Sequence, residues 1–451
     1  AVLRDPSHRA PSHRAAAAVA AGVPVVVELG GRDRNRVAIE GELAALADAG
    51  AAGVVIAAGE GPAVDDLSPE RIAALVDRAG LLALRRDAAG ALRPFVATDA
   101  ARTTCTDAAS PADAAACPKA MSYGPCGGVE ADGSCEIRPQ PCVFLGATLP
   151  IRWHGVPPRD VPAPTPAGRE LRAIMARRPL VLTGFPVRAM RAEDVAPVAD
   201  ALRTSADAVL SGDAGRSRVQ FPPAYRALLM ARAGMRVWMG LTARDRNRVA
   251  LEEELASLRE IGVAGVHCVT GDHTLTGDRP DAKPVFDLES TTMLPRARAH
   301  GLLASFAESP AAPPAHVRGG RVREKQRAGG QLCLTQYCGD AADVADFVAL
   351  CREAGATAPV LPGVPLVVDR AGAQLLASFH AAKLPTGYVE RLFAARDVRA
   401  EGIRLAVEYG RELLAVAGVG GVVVAGGGAI GGELDYARAL ATVAAELGGG
   451  S

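Results

Sequence analysis

The sequence predicts an α/β protein: a (β/α)₈ TIM barrel preceded by a partial, duplicated α/β unit and a small cysteine-rich metal module. Three observations carry that reading. Eight short β-branched runs alternate with helical stretches after residue 167, which is the strand count of a closed barrel. The heptad Arg32-Asp33-Arg34-Asn35-Arg36-Val37-Ala38 returns unchanged as Arg244-Asp245-Arg246-Asn247-Arg248-Val249-Ala250. Four cysteines fall between Cys117 and Cys142, among Gly and Pro rather than in a hydrophobic period.

Composition sets the outer limits. A chain of 451 residues that is 49% hydrophobic is too large for one ordinary core and implies two or three domains. The balance of 50 basic against 50 acidic residues leaves no electrostatic footprint for nucleic acid or an anionic membrane. No uncharged apolar stretch reaches about 18 residues, so no transmembrane helix is expected. The Arg- and His-dotted N-terminus is no secretory signal, and the chain reads as cytoplasmic. Its nine cysteines cluster, which favours a metal site over a disulfide framework.

Residues 1–104 carry the first copy of the repeat. GRDRNRVAIEGELAALADAGAAGV from residue 31 faces ARDRNRVALEEELASLREIGVAGV from residue 243, with Glu40/Glu252, Leu43/Leu255, Leu46/Leu258 and Gly50/Gly262 in register. The copies part where chemistry would sit: the second runs into Val269-Thr270-Gly271-Asp272-His273, the first into Ala57-Ala58-Gly59-Glu60-Gly61. The first copy therefore reads as degenerate, and its heptad as structural, capping a helix and locking a βα loop. Ala1-Val2-Leu3 matches Ala208-Val209-Leu210, so the chain is expected to begin partway through a domain. About four strands are expected here, too few to close a barrel, so a partial unit packed on the module or the main barrel is expected.

Residues 105–155 form the cysteine module. Cys117, Cys126, Cys135 and Cys142 read as ligands of Zn²⁺ or a [4Fe–4S] cluster. The absence of a CxxC knuckle weakens the zinc-ribbon reading. Cys105, Cys268, Cys333, Cys338 and Cys351 read as small core or near-site residues. Residues 156–166 are a proline-rich linker, and 167–451 the barrel. The strand runs lie at 180–186, 207–213, 236–242, 265–272, 302–309, 331–338, 358–368 and 421–427. In a barrel their last residues share one rim, where active sites sit. That rim collects Asp213, Thr242, Gly271, Asp272, Ser305, Glu308, Thr335, Gln336 and Gly363.

The series Thr242-Ala243-Arg244-Asp245-Arg246-Asn247-Arg248, Thr270-Gly271-Asp272-His273, Gly277 to Asp287, Arg323-Glu324-Lys325-Gln326-Arg327-Ala328-Gly329, Thr335-Gln336 and Pro362-Gly363-Val364 resembles the methylenetetrahydrofolate reductase family. The likeness spans residues 180–430. The cysteine module resembles the small domain attached to or partnering the anaerobic enzymes of that family. The resemblance implies a flavin-containing (FAD or FMN) barrel that reduces 5,10-methylenetetrahydrofolate to 5-methyltetrahydrofolate. It implies catalytic roles for Asp272, at the pterin, and Gln336, at the folate. It implies cofactor contacts from Thr242, Gly271, Asp272, His273, Arg321 and Lys325. Electrons would come from NAD(P)H or an electron-carrier protein, the substrate is a tetrahydrofolate derivative, and a homo-oligomer is expected.

The residues themselves also admit plainer roles. Asp272 could be a helix N-cap, Gln336 a satisfied polar strand end, and Arg318 to Arg327 a solvated helix face. One departure stands out: Phe185 occupies the place of the family's glutamate acid, and losing a positioned acid forfeits about 10²–10⁴ in rate. Glu308 or Asp213 are the candidate replacements, and Gly212 and Gly240 replace bulkier flavin neighbours. Three functions follow: a flavin-dependent folate reductase, a diverged folate-dependent one-carbon transfer enzyme without the usual acid, or a non-catalytic subunit.

Overall fold

The computed structural model describes the chain except for residues 1, 4–8, 58–63, 65–66, 96–116, 187–189, 213–216, 378–382, 428–430 and 451. Cys105, Asp213 and Gly59-Glu60-Gly61 lie outside the described residues. Among the described residues no helix is long and apolar enough to cross a membrane.

The N-terminal unit is an open sheet of five strands in sequence order: β1 (Val2–Leu3), β2 (Val26–Leu29), β3 (Gly53–Ile56), β4 (Leu82–Arg86) and β5 (Leu92–Pro94). The first four are parallel, and β5 returns antiparallel to β4, one strand more than the sequence suggested. Val27, Leu29, Val54 and Ile56 meet Ile39, Leu43, Leu46, Ile72 and Val76 in its core. The cysteine module contributes only the short antiparallel pair β6 (Ser134–Cys135) and β7 (Arg138–Pro141).

The barrel strands are β8 (Leu180–Gly184), β9 (Ala208–Ser211), β10 (Val237–Thr242), β11 (Gly265–Val269), β12 (Leu303–Glu308), β13 (Leu332–Thr335), β14 (Val360–Leu361), β15 (Gly363–Val367) and β16 (Gly421–Gly427). All pairings are parallel, in the order β14-β13-β12-β11-β10-β9-β8-β16-β15. β14 and β15 are one strand interrupted at Pro362, whose missing N–H cannot join a ladder. Its first half pairs with β13 and its second with β16, so the ring closes through the seventh of eight strand positions. Leu180, Leu182, Trp238, Leu303, Leu332, Leu334 and Val423 fill the interior, and a larger apolar layer lies between strands and helices. A barrel filled this way is a packed core with its site at one end.

The two heptads dock on each other. Asn35 N–H donates to Asp245 O at 3.0 Å and Asn247 N–H to Asp33 O at 3.0 Å. Their side chains repeat the exchange, Asn35 Nδ2 to Asp245 Oδ1 at 3.0 Å and Asn247 Nδ2 to Asp33 Oδ1 at 2.9 Å. Arg34 and Arg246 form an antiparallel bridge between them. Each asparagine also caps its own helix, Asn35 accepting from Ala38 N and Asn247 from Ala250 N, both at 3.1 Å. The reciprocity describes a local two-fold axis. It extends outward: Ser12 N–H donates to Glu42 Oε1 at 2.6 Å as Ala224 N–H does to Glu254 Oε2 at 2.8 Å. The symmetry breaks at Gly41, where a Cβ would lie 2.0 Å from Gln220 O. The heptad does cap its helix, through Asn35 and Asn247 rather than through the alternating Arg and Asp residues to which the sequence reading gave that role, and the mutual docking is an addition to it.

Candidate functional site at the barrel mouth

A cavity of about 390 Å³ opens at the C-terminal ends of the strands, lined among others by Gly212, Gly240, Thr242, His267, Gly271, Asp272, Glu308, Arg321, Lys325 and Gln336. A second arm of about 240 Å³ continues past His267, Glu308 and Gln336 to Thr335, Tyr337 and Gly363. The volume of the first arm suits a small organic ligand. The cysteine module completes its wall with Lys119, Met121, Cys126, Gly127, Gly128 and Glu136.

Local structure explains the opening. Gly271 has φ +94°, and a Cβ there would lie 1.9 Å from Thr242 Oγ1, so only glycine lets β10 and β11 end side by side. The Cβ of a residue at 240 would stand 2.8 Å from Gly212 Cα, whereas a Cβ at 212 meets nothing within 4 Å. The two glycines leave a flat shelf instead of side chains. Thr242 Oγ1 donates to Thr270 O at 3.1 Å and accepts from Arg244 N at 3.2 Å.

Asp272 projects into the cavity with its side chain 63% exposed and Arg218 3.5 Å away. It is not the helix cap. That role falls to His273, whose Nδ1 accepts from Leu275 N at 3.1 Å at the start of the Thr274–Thr276 turn. Burial and the charges of Lys119, Arg138, Arg218 and Arg244 lower the His273 pKa to about 4. His273 packs beside Phe286 and lines neither arm. Gln336 is exposed on the rim, between both arms, and its Oε1 accepts from Tyr337 N at 3.1 Å.

The basic run is not a solvated face. Arg318, Arg321 and Lys325 are buried on one side of helix Arg318–Arg327, while the side chains of Arg323 and Arg327 are 41% exposed. The buried three converge on Glu308 at the end of β12: Arg318 Nη1 at 2.9 Å, Lys325 Nζ at 3.0 Å and Arg321 Nε at 3.4 Å. Burial alone would raise the Glu308 pKa, but Lys325, Arg321 and Arg318 hold it well below the carboxylate range. Three cations thus hold Glu308 as an anion, a state that does not suit a proton donor. Phe185 packs partly buried against the outer core and lines neither arm.

The same helix holds the module on the barrel. Arg318 Nη1 donates to Pro125 O at 3.2 Å and Nη2 to Cys126 O at 3.1 Å, and Arg321 donates to Tyr123 O. Ser122 N–H donates to Glu289 Oε2 at 3.0 Å and Trp153 N–H to Glu324 Oε2 at 3.0 Å. Cys117, Cys126, Cys135 and Cys142 all line one small space of about 30 Å³. Burial raises the Cys117 and Cys142 thiol pKa values. Among the described residues no three His, Cys, Asp or Glu side chains converge closely enough to hold a single metal ion. Lys119 pairs with Glu136 between this space and the barrel. Burial opposes its charge, but Cys126, Glu136 and Asp272 push its pKa up to about 12. Cys126 belongs to both linings, a connection that cysteine spacing alone could not reveal. Cys268, Cys333, Cys338 and Cys351 are buried, as expected of core residues.

Residues 212–423 match the family model of methylenetetrahydrofolate reductase, and residues 103–149 that of the methylenetetrahydrofolate reductase C terminal. No curated protein is significantly similar to the chain. Among solved structures, an uncharacterized protein from Clostridium thermocellum that binds two copies of 5-methyl-5,6,7,8-tetrahydrofolic acid aligns at 12% identity and TM-score 0.44, covering 60% of this chain and 98% of that one. Oxaloacetate acetylhydrolase aligns at 15% identity and TM-score 0.36, covering 57% and 80%. The barrel over residues 212–423 and the cysteine module over residues 103–149 each belong to the methylenetetrahydrofolate reductase family.

Proposed function

We propose that this chain binds a tetrahydrofolate derivative at the barrel mouth and, with a flavin (FAD or FMN), reduces 5,10-methylenetetrahydrofolate to 5-methyltetrahydrofolate. The observation that carries the reading is the shared wall: the cavity bearing Asp272, Gln336 and the Gly212–Gly240 shelf is closed by the same cysteine, Cys126, that lines the four-thiol space. The shelf fits a flat ring system, and Lys325 and Arg321 favour an anionic group at that wall. When bound, the flavin would supply hydride to the methylene carbon. Asp272 would orient the pterin by accepting from its N–H groups, and Gln336 would contact the folate from the opposite rim.

The four cysteines line one small space, which supports a four-thiolate centre, and a flavin site fed by an electron-carrier protein would need a [4Fe–4S] cluster there rather than Zn²⁺. Its place beside the cavity supports delivery of electrons by a carrier protein over direct use of NAD(P)H. A second reading, one-carbon transfer on folate without reduction, draws support from Phe185 and from the ion-locked Glu308.

The test is the absorption spectrum of the chain purified without oxygen. A flavin band bleached by dithionite and restored by methylenetetrahydrofolate is the expected result. A colourless protein that still binds 5-methyltetrahydrofolate would move the function to the second reading, and one that binds neither would overturn both.

A further inference from the structure

His267 sits on β11 deep in the mouth, where the two arms of the cavity meet. Its neighbour across the β10 ladder is Gly240, which has no side chain to cover the imidazole. Its neighbour across the β12 ladder is Ser305, whose Oγ lies 2.8 Å from His267 Nδ1. The hydroxyl in turn accepts from Trp238 Nε1 at 2.9 Å.

Donor and acceptor geometry favours one tautomer of the ring. An indole N–H only donates, so Ser305 accepts there and has one proton to place. Donation to His267 Nδ1 at 2.8 Å makes a shorter bond than donation to Val266 O at 3.4 Å, and this favours it over the alternative in which the second lone pair of the hydroxyl accepts from Nδ1–H. Nδ1 is then an acceptor, and the ring proton resides on Nε2. Burial, reinforced by the charge of Lys325, lowers the pKa to about 4, so the ring is neutral at physiological pH.

We propose that His267 is a ligand-contacting residue of this site, presenting Nε2–H from the barrel floor to a carbonyl oxygen or pyridine-type nitrogen on the edge of a bound heterocycle. Flavins and pterins both carry such acceptors, and the proposal rests on the folate and flavin reading above. A neutral imidazole is suited to this work: it offers a directed donor without placing a second cation beside Lys325.

The experiment uses the full chain with ¹⁵N-labelled histidine, followed by long-range ¹H–¹⁵N correlation, with His267→Gln identifying the resonance. The expected spectrum is a neutral Nε2–H tautomer from about pH 8 to about pH 5, shifting on addition of either FMN or 5-methyltetrahydrofolate. The probe that shifts it identifies which ring is contacted. Affinity for that probe is expected to fall about tenfold in His267→Phe and to stay within about threefold in His267→Gln, which keeps an N–H donor. Ser305→Ala is expected to release the tautomer preference. An imidazolium or Nδ1–H tautomer at pH 7 would overturn the proposal. So would unchanged affinity for both probes in His267→Phe, with the folate and flavin reading left standing. Failure of the wild-type chain to bind either probe would overturn that reading as well.

Discussion

Glu308 and Lys325 form a buried ion pair, 3.0 Å apart, that joins the floor of the barrel mouth to the helix on which the cysteine module rests. Arg318 and Arg321 share the same carboxylate while reaching the module's backbone at Pro125, Cys126 and Tyr123. One carboxylate thus sets the position of the cavity wall and of its lid.

Removing that carboxylate leaves three buried cations without their anion. Glu308→Gln is expected to lower unfolding stability by about 3–5 kcal/mol, as breaking a buried pair from one side does. Denaturant unfolding checks this, and a loss below about 1 kcal/mol would mean that water or another group replaces the carboxylate.

The same pair predicts a pH dependence. The folded pKa of Glu308 is depressed, so its contribution is complete above the unfolded carboxylate value of about 4.3 and is lost as pH falls toward the folded value. The stability difference between wild type and Glu308→Gln should be constant from about pH 6 to 8 and narrow below about pH 4. Urea titrations at several pH values would show it. A gap that grows on acidification would contradict the assignment of the ionised form.

Cys126 is the thiol shared by the two linings. Cys126→Ser should reduce bound iron and sulfide in anaerobically purified protein by more than half, whereas Cys268→Ser, buried in the barrel core, should leave both unchanged. Metal and sulfide analysis decides between them, and equal iron content in the two variants would remove the cluster assignment.

Asn247 both caps its helix and holds Asp33 across the local two-fold, and Asn35 does the same toward Asp245. Each Asn→Ala change is expected to cost about 1–3 kcal/mol. Thermal unfolding of the two single variants should give similar losses. A large loss from one and none from the other would show that the two docking contacts are not equivalent.

Much of the architecture was legible because barrel strands are apolar runs of even spacing. The runs at 180–186 and 421–427 became β8 and β16, and only the break at Pro362 divided an expected strand. The rim positions of Thr242, Gly271, Asp272 and Gln336 were also readable, since each lies at or just after the end of a strand run, and the four module cysteines fall together as their clustering in sequence suggested. The buried ion cluster was not. Arg318, Arg321 and Lys325 share a helix face, but a one-dimensional charge run does not show that a glutamate ten residues upstream lies beneath that face. His267 was hidden for the same reason: its role depends on Gly240 and Ser305, which the ladder places beside it.

The local two-fold between the heptads has a consequence for how the molecule is held together. Identical surfaces that recognise each other reciprocally are what a symmetric homodimer uses. Here both surfaces belong to one polypeptide, so the partner is supplied at fixed stoichiometry and at an effective concentration that dilution cannot lower. An unequal fate for the two halves then carries no penalty at the contact. The sequences after β3 and β11 can therefore differ, Ala57-Ala58-Gly59-Glu60 against Val269-Thr270-Gly271-Asp272, while Arg32 to Ala38 and Arg244 to Ala250 remain identical and make the contact.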